Sequence, residues 1–168
     1  MLSCYIQKNG ILSEVLPALA ESSCWFDLVD PSLEDIKNLA QITKIENLDF
    51  IKAALDDEER PRIEIDKNVM LIVINIPLME DENTFDTLPL GIIVSPEYFI
   101  TVCLKENKVI SFFNSENYKF SQTFNKTRLL FQILLRSTKL YLRYLRYINR
   151  HTDDIEEELR RSMKNKAL

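Results

Sequence analysis

The hydrophobic residues of this chain change their spacing near Lys126, and this change limits the possible folds more than any other feature of the sequence. Before it, short apolar runs are separated by turn residues, as in strands that alternate with short helices. After it, apolar residues recur at spacings of three, four and seven to the end of the chain, which predicts a long amphipathic helix or a helix pair. We therefore expect an α/β domain at 1–125, followed by long C-terminal helices at 126–168.

The first part of the chain predicts a mixed β-sheet. Asn9-Gly10 favours a tight hairpin turn, and the apolar run at 69–78 is typical of a strand covered on both faces. Asp30-Pro31 favours a helix start, with Asp30 as the cap and Pro31 at the first helical position. The order of elements predicts α/β/α layers, with the sheet between helices on both faces. The predicted strands are 2–7, 11–15, 24–29, 61–66, 69–78, 87–95 and 98–104, and the predicted helices run from Pro31 to about Thr43 and over 47–55 and 107–114.

The composition excludes several classes of site. The chain of 168 residues has two glycines, Gly10 and Gly91, whereas a glycine-rich phosphate loop needs several within a short window. The single histidine, His151, would have to serve any histidine-dependent metal site or catalytic triad. We find no nucleophile and base in a plausible arrangement and expect no enzymatic activity. No apolar run approaches the roughly 18 residues that cross a bilayer, so we expect this part of the protein to be soluble.

Charge is distributed unevenly along the chain. Residues 1–125 carry 10 Lys and Arg against 21 Asp and Glu, whereas residues 126–168 carry 11 against 5. An acidic body is therefore joined to a basic helical tail. The segment 141–147 mixes aromatic and cationic residues, as nucleic-acid-binding proteins do, but at helical spacing the two kinds lie on different faces. Together with the acidic body, this argues against a nucleic-acid partner.

Four stretches of the sequence, taken in order, carry a family resemblance. Each motif is short, but the four have family-like order and spacing across nearly the whole chain. Together they resemble the CorA family of divalent-metal transporters. The signature residues are Trp25, Asp27, Asp30 and Pro31 in the first stretch, Arg60, Pro61, Arg62 and Glu64 in the second, and Gly91 and Thr101 in the paired strands of the third; the fourth is the helix from Arg128 to Glu157.

The resemblance implies the role of the chain. It would be the cytoplasmic N-terminal domain of a cell-membrane transporter for Mg²⁺ or Co²⁺. In that transporter the domain would act as an ion funnel or have a regulatory role. The full-length protein would be a homopentamer. Its 126–168 helices would lead to a stalk and then to two transmembrane helices with a Gly-Met-Asn motif. Mg²⁺ would be the transported or regulatory ion, and the membrane would be reached only through segments outside this sequence.

No residue is predicted as a metal ligand, although two acidic segments occur. The run 56–59 is expected to be a solvated loop that Arg60 and Arg62 partly neutralise, and the segment 80–86 a polar hairpin tip. Family members with a regulatory metal between subunits carry carboxylates at positions that match Ala53 and Lys52 here, and another near Lys139 or Leu140. The missing carboxylates argue against such a site in this chain.

Two alternatives remain open from the sequence. One is a zinc-transporting relative of the same superfamily. The other is a free-standing metal-dependent hydrolase that would use the carboxylates of Asp27, Asp56, Asp57 and Glu64. The hydrolase hypothesis predicts metal-dependent turnover of a phosphoester, whereas the transporter hypothesis predicts none.

Overall fold

The computed structural model describes residues 1–8, 10–20, 23–81, 84–113 and 124–166. Within these ranges, seven strands form one mixed sheet in the order β2-β1-β3-β7-β6-β5-β4. All neighbouring strands are antiparallel except β3 and β7, which are parallel. The strands are β1 (Leu2–Lys8), β2 (Ile11–Val15), β3 (Trp25–Val29), β4 (Arg62–Asp66), β5 (Val69–Met79), β6 (Phe85–Val94) and β7 (Phe99–Cys103).

Helices cover both faces of this sheet, which confirms the predicted α/β/α layers. Helices α1 (Leu33–Thr43) and α2 (Leu48–Lys52) pack on one face, which we call the α1 face. The opposite face, the α3 face, is covered by α3 (Lys126–Lys166) and by the turns at 108–113. Side chains of a strand alternate between the two faces. In β7, for example, Ile100 belongs to the core of the α1 face and Phe99 to the core of the α3 face.

The predicted strands agree closely with the observed ones, but two helix predictions are wrong. Helix α1 begins at Leu33 and is capped by Ser32, so Asp30 is not its cap and Pro31 is not its first residue. Asp30 instead has a positive φ of 44°, since the chain turns there before it enters the helix. At 108–113 the described chain forms consecutive turns rather than the predicted helix 107–114, and residue 114 lies outside the described residues.

Helix α3 is a single helix of 41 residues within the described chain, about 60 Å long, so of the two predicted possibilities, one long helix or a helix pair, the structure has the first. Its first half buries Leu129, Ile133, Leu140 and Tyr144 on the α3 face. From Leu145 to Lys164 every residue is exposed. None of the described helices is both long and apolar enough to cross a membrane. The division of the chain at residue 126 stays a prediction.

Candidate functional site

Three signature residues, Trp25, Thr101 and Asp27, meet inside the sheet. The indole Nε1 of Trp25 donates a hydrogen bond of 2.9 Å to Thr101 Oγ1. The Thr101 hydroxyl in turn donates a hydrogen bond of 2.7 Å to Asp27 Oδ1. Trp25 and Thr101 are fully buried, and Asp27 is 6% exposed. We call this arrangement the buried triad.

The pairing of β3 with β7 brings the buried triad together. The parallel register sets Asp27 opposite Thr101 and Trp25 opposite Phe99. Trp25 and Asp27 are two residues apart and therefore lie on the same face of the sheet. A buried carboxylate is costly unless it accepts hydrogen bonds, and Thr101 supplies one. The geometry is that of a structural link between two central strands, with the Asp27 carboxylate turned away from solvent.

The second signature segment forms an ion-pair cluster at the edge strand β4. The Arg62 guanidinium contacts the carboxylates of both Glu59 and Glu64. The hydrogen bond with Glu64, helped by the negative charge of Glu59, raises the pKa of Arg62 above its ordinary value. Arg60 and Pro61 are exposed beside this cluster. Arg62 therefore partly neutralises two carboxylates at the start of β4.

Gly91 lies where α2 and the following 3₁₀ turn (Ala53–Leu55) approach the sheet. A Cβ atom at Gly91 would lie 2.9 Å from the Cβ of Ala54, closer than real Cβ contacts come. The absence of a side chain at Gly91 therefore allows this close approach.

Asp30 lies at the end of β3, where its backbone N–H donates a hydrogen bond of 3.0 Å to the carbonyl of Cys103. This bond continues the β3–β7 pairing into the turn before α1.

Described carboxylates of the two acidic segments form local hydrogen bonds and an ion pair. Asp56 Oδ1 accepts a hydrogen bond from the Glu58 N–H at 3.0 Å, and Asp81 Oδ1 accepts one from Thr84 at 2.8 Å. Glu80 pairs with Lys105 at 3.0 Å. Within the described residues, no group of three or more His, Cys, Asp or Glu side chains could hold a metal ion. The absence of metal ligands remains a prediction.

The carboxylates required by the hydrolase hypothesis are not brought together in the described structure. Asp27 is buried in the triad on the α3 face, whereas Asp56, Asp57 and Glu64 are exposed. An active site would need these oxygens to converge on one reacting atom. The structure therefore gives no support to this hypothesis.

Sequence reasoning missed the polar contacts that fix α3 to the sheet. Lys126 Nζ donates to the carbonyls of Ser95, at 2.8 Å, and Pro96. Burial lowers the pKa of this amine. The Tyr141 hydroxyl donates to the carbonyl of Asn75 at 3.1 Å, and burial raises the pKa of Tyr141. The helical period placed these residues on α3, but their partners are backbone atoms of distant loops and strands, which leave no sequence signal.

Comparisons with known proteins give one consistent result. The chain is 29% identical over 169 residues to the "Cobalt/magnesium transport protein CorA" of Methanocaldococcus jannaschii, a match that covers 92% of this chain and 50% of that protein. It thus spans about half the length of this curated relative.

Solved structures share the fold. The complete CorA magnesium transporter of M. jannaschii matches with a TM-score of 0.79 and 23% identity, over 95% of this chain and 51% of that one. The cytoplasmic domain of ZntB from Vibrio parahaemolyticus matches with a TM-score of 0.64 and 16% identity, over 92% of this chain and 62% of that one. These likenesses concern the sheet and its covering helices.

The family assignment depends on the match of the sequence itself. The sequence model described as "CorA-like Mg2+ transporter protein" matches residues 20–168. This range includes β3 with the buried triad, the Arg62 cluster, Gly91 and all of α3. The chain therefore belongs to the CorA-like Mg²⁺ transporter family.

Proposed function

We propose that this chain forms the cytoplasmic part of a membrane transporter for divalent cations, Mg²⁺ or Co²⁺, and that it guides or regulates the ion rather than conducting it. The observation that carries this proposal is the family match over 20–168. The curated relative is named a cobalt/magnesium transport protein, which supports these two metals. The fold likeness to a ZntB domain has a lower TM-score, so zinc is the second choice.

The charge distribution supports the guiding role. Residues 1–125 have 11 more acidic than basic residues, and the carboxylates of Asp56, Asp57 and Glu58 are exposed. Clustered negative charge raises the local concentration of cations and their rate of arrival. This effect needs no dedicated metal site. It is therefore compatible with the solvated acidic turns of the described structure.

The second half of α3 supports assembly with other helices of the full transporter. Leu145, Ile148, Ile155 and Leu159 are exposed at between 37% and 58%, and they recur at helical spacing along α3. An apolar stripe of this kind is expected to pack against further helices. We propose that these are helices of the full-length protein and of its other subunits in a homopentamer, and that the body at 1–125 and the helix at 126–168 act as separate parts of it.

Ion uptake by the full-length protein tests the proposal. Liposomes containing the purified protein should take up Mg²⁺ and Co²⁺, as followed by a metal-sensitive dye inside them, and empty liposomes should not. Uptake of Zn²⁺ with no uptake of Mg²⁺ or Co²⁺ would favour the zinc-transporting relative. No uptake of any of the three metals, or metal-dependent phosphoester hydrolysis by this chain, would refute the proposal.

The guiding role is tested by removing surface charge. The triple variant Asp56→Asn/Asp57→Asn/Glu58→Gln should lower Mg²⁺ uptake at low salt by roughly two- to tenfold, with the difference vanishing at high salt because ions screen the field. The matched control is Glu156→Gln/Glu157→Gln/Glu158→Gln on the exposed part of α3, which should change uptake less. Equal effects of the two triple variants would mean that the acidic turn has no special role.

A further inference from the structure

A basic and aromatic cleft lies on the α3 face, beside the end of the sheet. It has a volume of about 480 Å³ and lies between α3, the ends of β5 and β6, and the turns at 108–112. This volume is within the range of pockets that hold small organic ligands. The proposed transport function does not use the cleft.

Among the residues that the structure describes, three cations and no carboxylate line the cleft. Lys108, Arg136 and Arg143 contribute the cations. Within the described residues none of the three forms an ion pair. The Nε atom of Arg136 is buried without a hydrogen-bond partner there. Buried donors are normally paired, so this guanidinium charge is poorly compensated by the described residues and favours an anion in the cleft.

Four of the other lining residues are aromatic: Phe85, Phe112, Tyr144 and Tyr147. The Phe85 ring lies 5.4 Å from that of Tyr144 and 5.6 Å from that of Tyr147, measured between centroids. The Arg136 guanidinium lies over the Phe112 ring, 4.2 Å from its centroid. This stacking holds the guanidinium plane in place. Aromatic walls of this kind favour a planar ring as the apolar part of a ligand.

A carboxylate lies next to the cleft, near Lys108. Glu106 lines a smaller cleft that shares Lys108 and Tyr144 with the first, so the Lys108 side has a negative charge near it. Arg136 and Arg143 are the other two cations of the cleft, seven residues or about two turns apart on α3. The anionic part of a ligand is therefore expected near the two arginines, whose planar groups bind phosphate oxygens in pairs.

We propose that this cleft binds an organic phosphate of the nucleotide class. Arg136 and Arg143 pair with its phosphate groups, and its base lies against Phe85, Tyr144 and Tyr147. Two different groups of the ligand thus meet two different walls of the cleft. This site is independent of ion transport, and its failure would leave the proposed transport function untouched.

Calorimetric titration of the 168-residue protein with ATP, free of divalent metal and at fixed ionic strength, tests the proposal. ATP should bind saturably. Arg143→Gln and Arg136→Gln should each weaken it about tenfold, the loss expected for a charge-assisted bidentate pair. Arg146→Gln is the matched control, because it removes the same charge from an exposed residue of α3 that does not line the cleft, and it should leave ATP affinity unchanged.

Two further measurements distinguish the contribution of the phosphate groups to binding from that of the aromatic base. Inorganic tripolyphosphate should bind at least about fivefold more weakly than ATP, because it cannot stack, and Tyr147→Ala should reduce the affinity for ATP but not for tripolyphosphate. Lack of ATP binding, equal weakening by Arg146→Gln and Arg143→Gln, or equal affinity for ATP and tripolyphosphate would overturn the proposal. Arg143 is exposed, so its variant is expected to fold, and circular dichroism checks this.

Discussion

At the residue scale, one hydroxyl group connects two strands that are far apart in the sequence. Thr101 accepts from the indole of Trp25 and donates to Asp27, so it serves both residues at once. The sequence identified Trp25, Thr101 and Asp27 as signature residues of a family. It did not predict that their side chains are in contact, because a motif match does not give the register between β3 and β7. Their assignment as signature residues stays a prediction, while their contact is a structural finding.

Replacing Thr101 by Val should destabilise the protein by about 2–4 kcal/mol. The change keeps the volume but removes the acceptor of a buried indole N–H and one donor to a buried carboxylate, each of which costs about 1–3 kcal/mol. Urea unfolding followed by fluorescence of Trp25, the single tryptophan, measures this loss. Thr101→Ser retains the hydroxyl and should lose clearly less. Similar losses for the two variants would show that packing, not the hydroxyl, determines the effect.

Gly91→Ala should destabilise the protein by about 1–3 kcal/mol, since the added methyl group would meet Ala54 and overpack the interface. A double-mutant cycle with Ala54→Gly checks the cause. The Ala54→Gly change should cost less stability in the Gly91→Ala background than in the wild type. Additive effects of the two substitutions would contradict a clash between these two positions.

At the element scale, the strands were easier to predict than the ends and number of the helices. Long apolar runs fixed β5 and β6 to within two residues. Asp30-Pro31 has the composition of a helix start, yet the capping box of Ser32 and Asp35 forms two residues later, because the backbone of Asp30 is held by Cys103. The sequence pattern allowed either one long helix or a helix pair within 126–168, and the structure has one helix; an amphipathic period alone does not distinguish the two.

The capping box of α1 gives a dependence on pH. Partial burial raises the pKa of Asp35, but hydrogen bonds from Ser32 and the Met1 amino group outweigh this, and the net pKa lies below the ordinary value. Its contribution to stability is therefore present above the unfolded-state pKa of about 3.9 and is lost as the pH falls through the lower folded-state pKa.

Asp35→Asn should therefore be less stable than the wild type at pH 7, by about 0.3–1 kcal/mol, the value of a negative charge in the first turn of a helix. The difference should shrink as the pH falls through the folded-state pKa of Asp35. Urea unfolding at pH 7, 5 and 3 measures it. Glu34→Gln, in the same first turn but outside the capping box, is the control and should show a smaller difference at pH 7. A difference for Asp35→Asn that stays constant with pH would contradict the assignment.

At the scale of the whole molecule, the sequence predicted the layers, and it left the interior contacts and the basic cleft undetected. The alternation of apolar runs determines which faces are buried. The cleft combines Phe85 on β6, Lys108 in a turn and Arg136 on α3, and no local pattern relates residues so far apart. The helical spacing predicts Arg143 on a charged face of the helix and indicates nothing about Arg136, and only the packing of α3 on the sheet places both beside aromatic rings.

Millimolar Mg²⁺ should cause little change in the thermal stability of this chain. A ligand that binds the folded state raises stability with its concentration relative to its dissociation constant, and the positions matched to a regulatory metal site hold Ala53 and Lys52. Thermal unfolding over a Mg²⁺ titration, with matched ionic strength from NaCl as the control, checks this. A saturable rise with Mg²⁺ that NaCl does not reproduce would reveal a metal site.

The parallel pairing of β3 with β7 also delays completion of the sheet during synthesis on the ribosome, because β7 is made long after β3. The contact between Trp25 and Thr101 joins residues 76 positions apart. Strands β1, β2 and β3 leave the ribosome before β7 does. Until Cys103 has left the exit tunnel, the edge of β3 that pairs with β7 has no partner strand. Such an edge is open to association with other chains, so slow synthesis between Val29 and Phe99 would lengthen the period in which a nascent chain needs a chaperone.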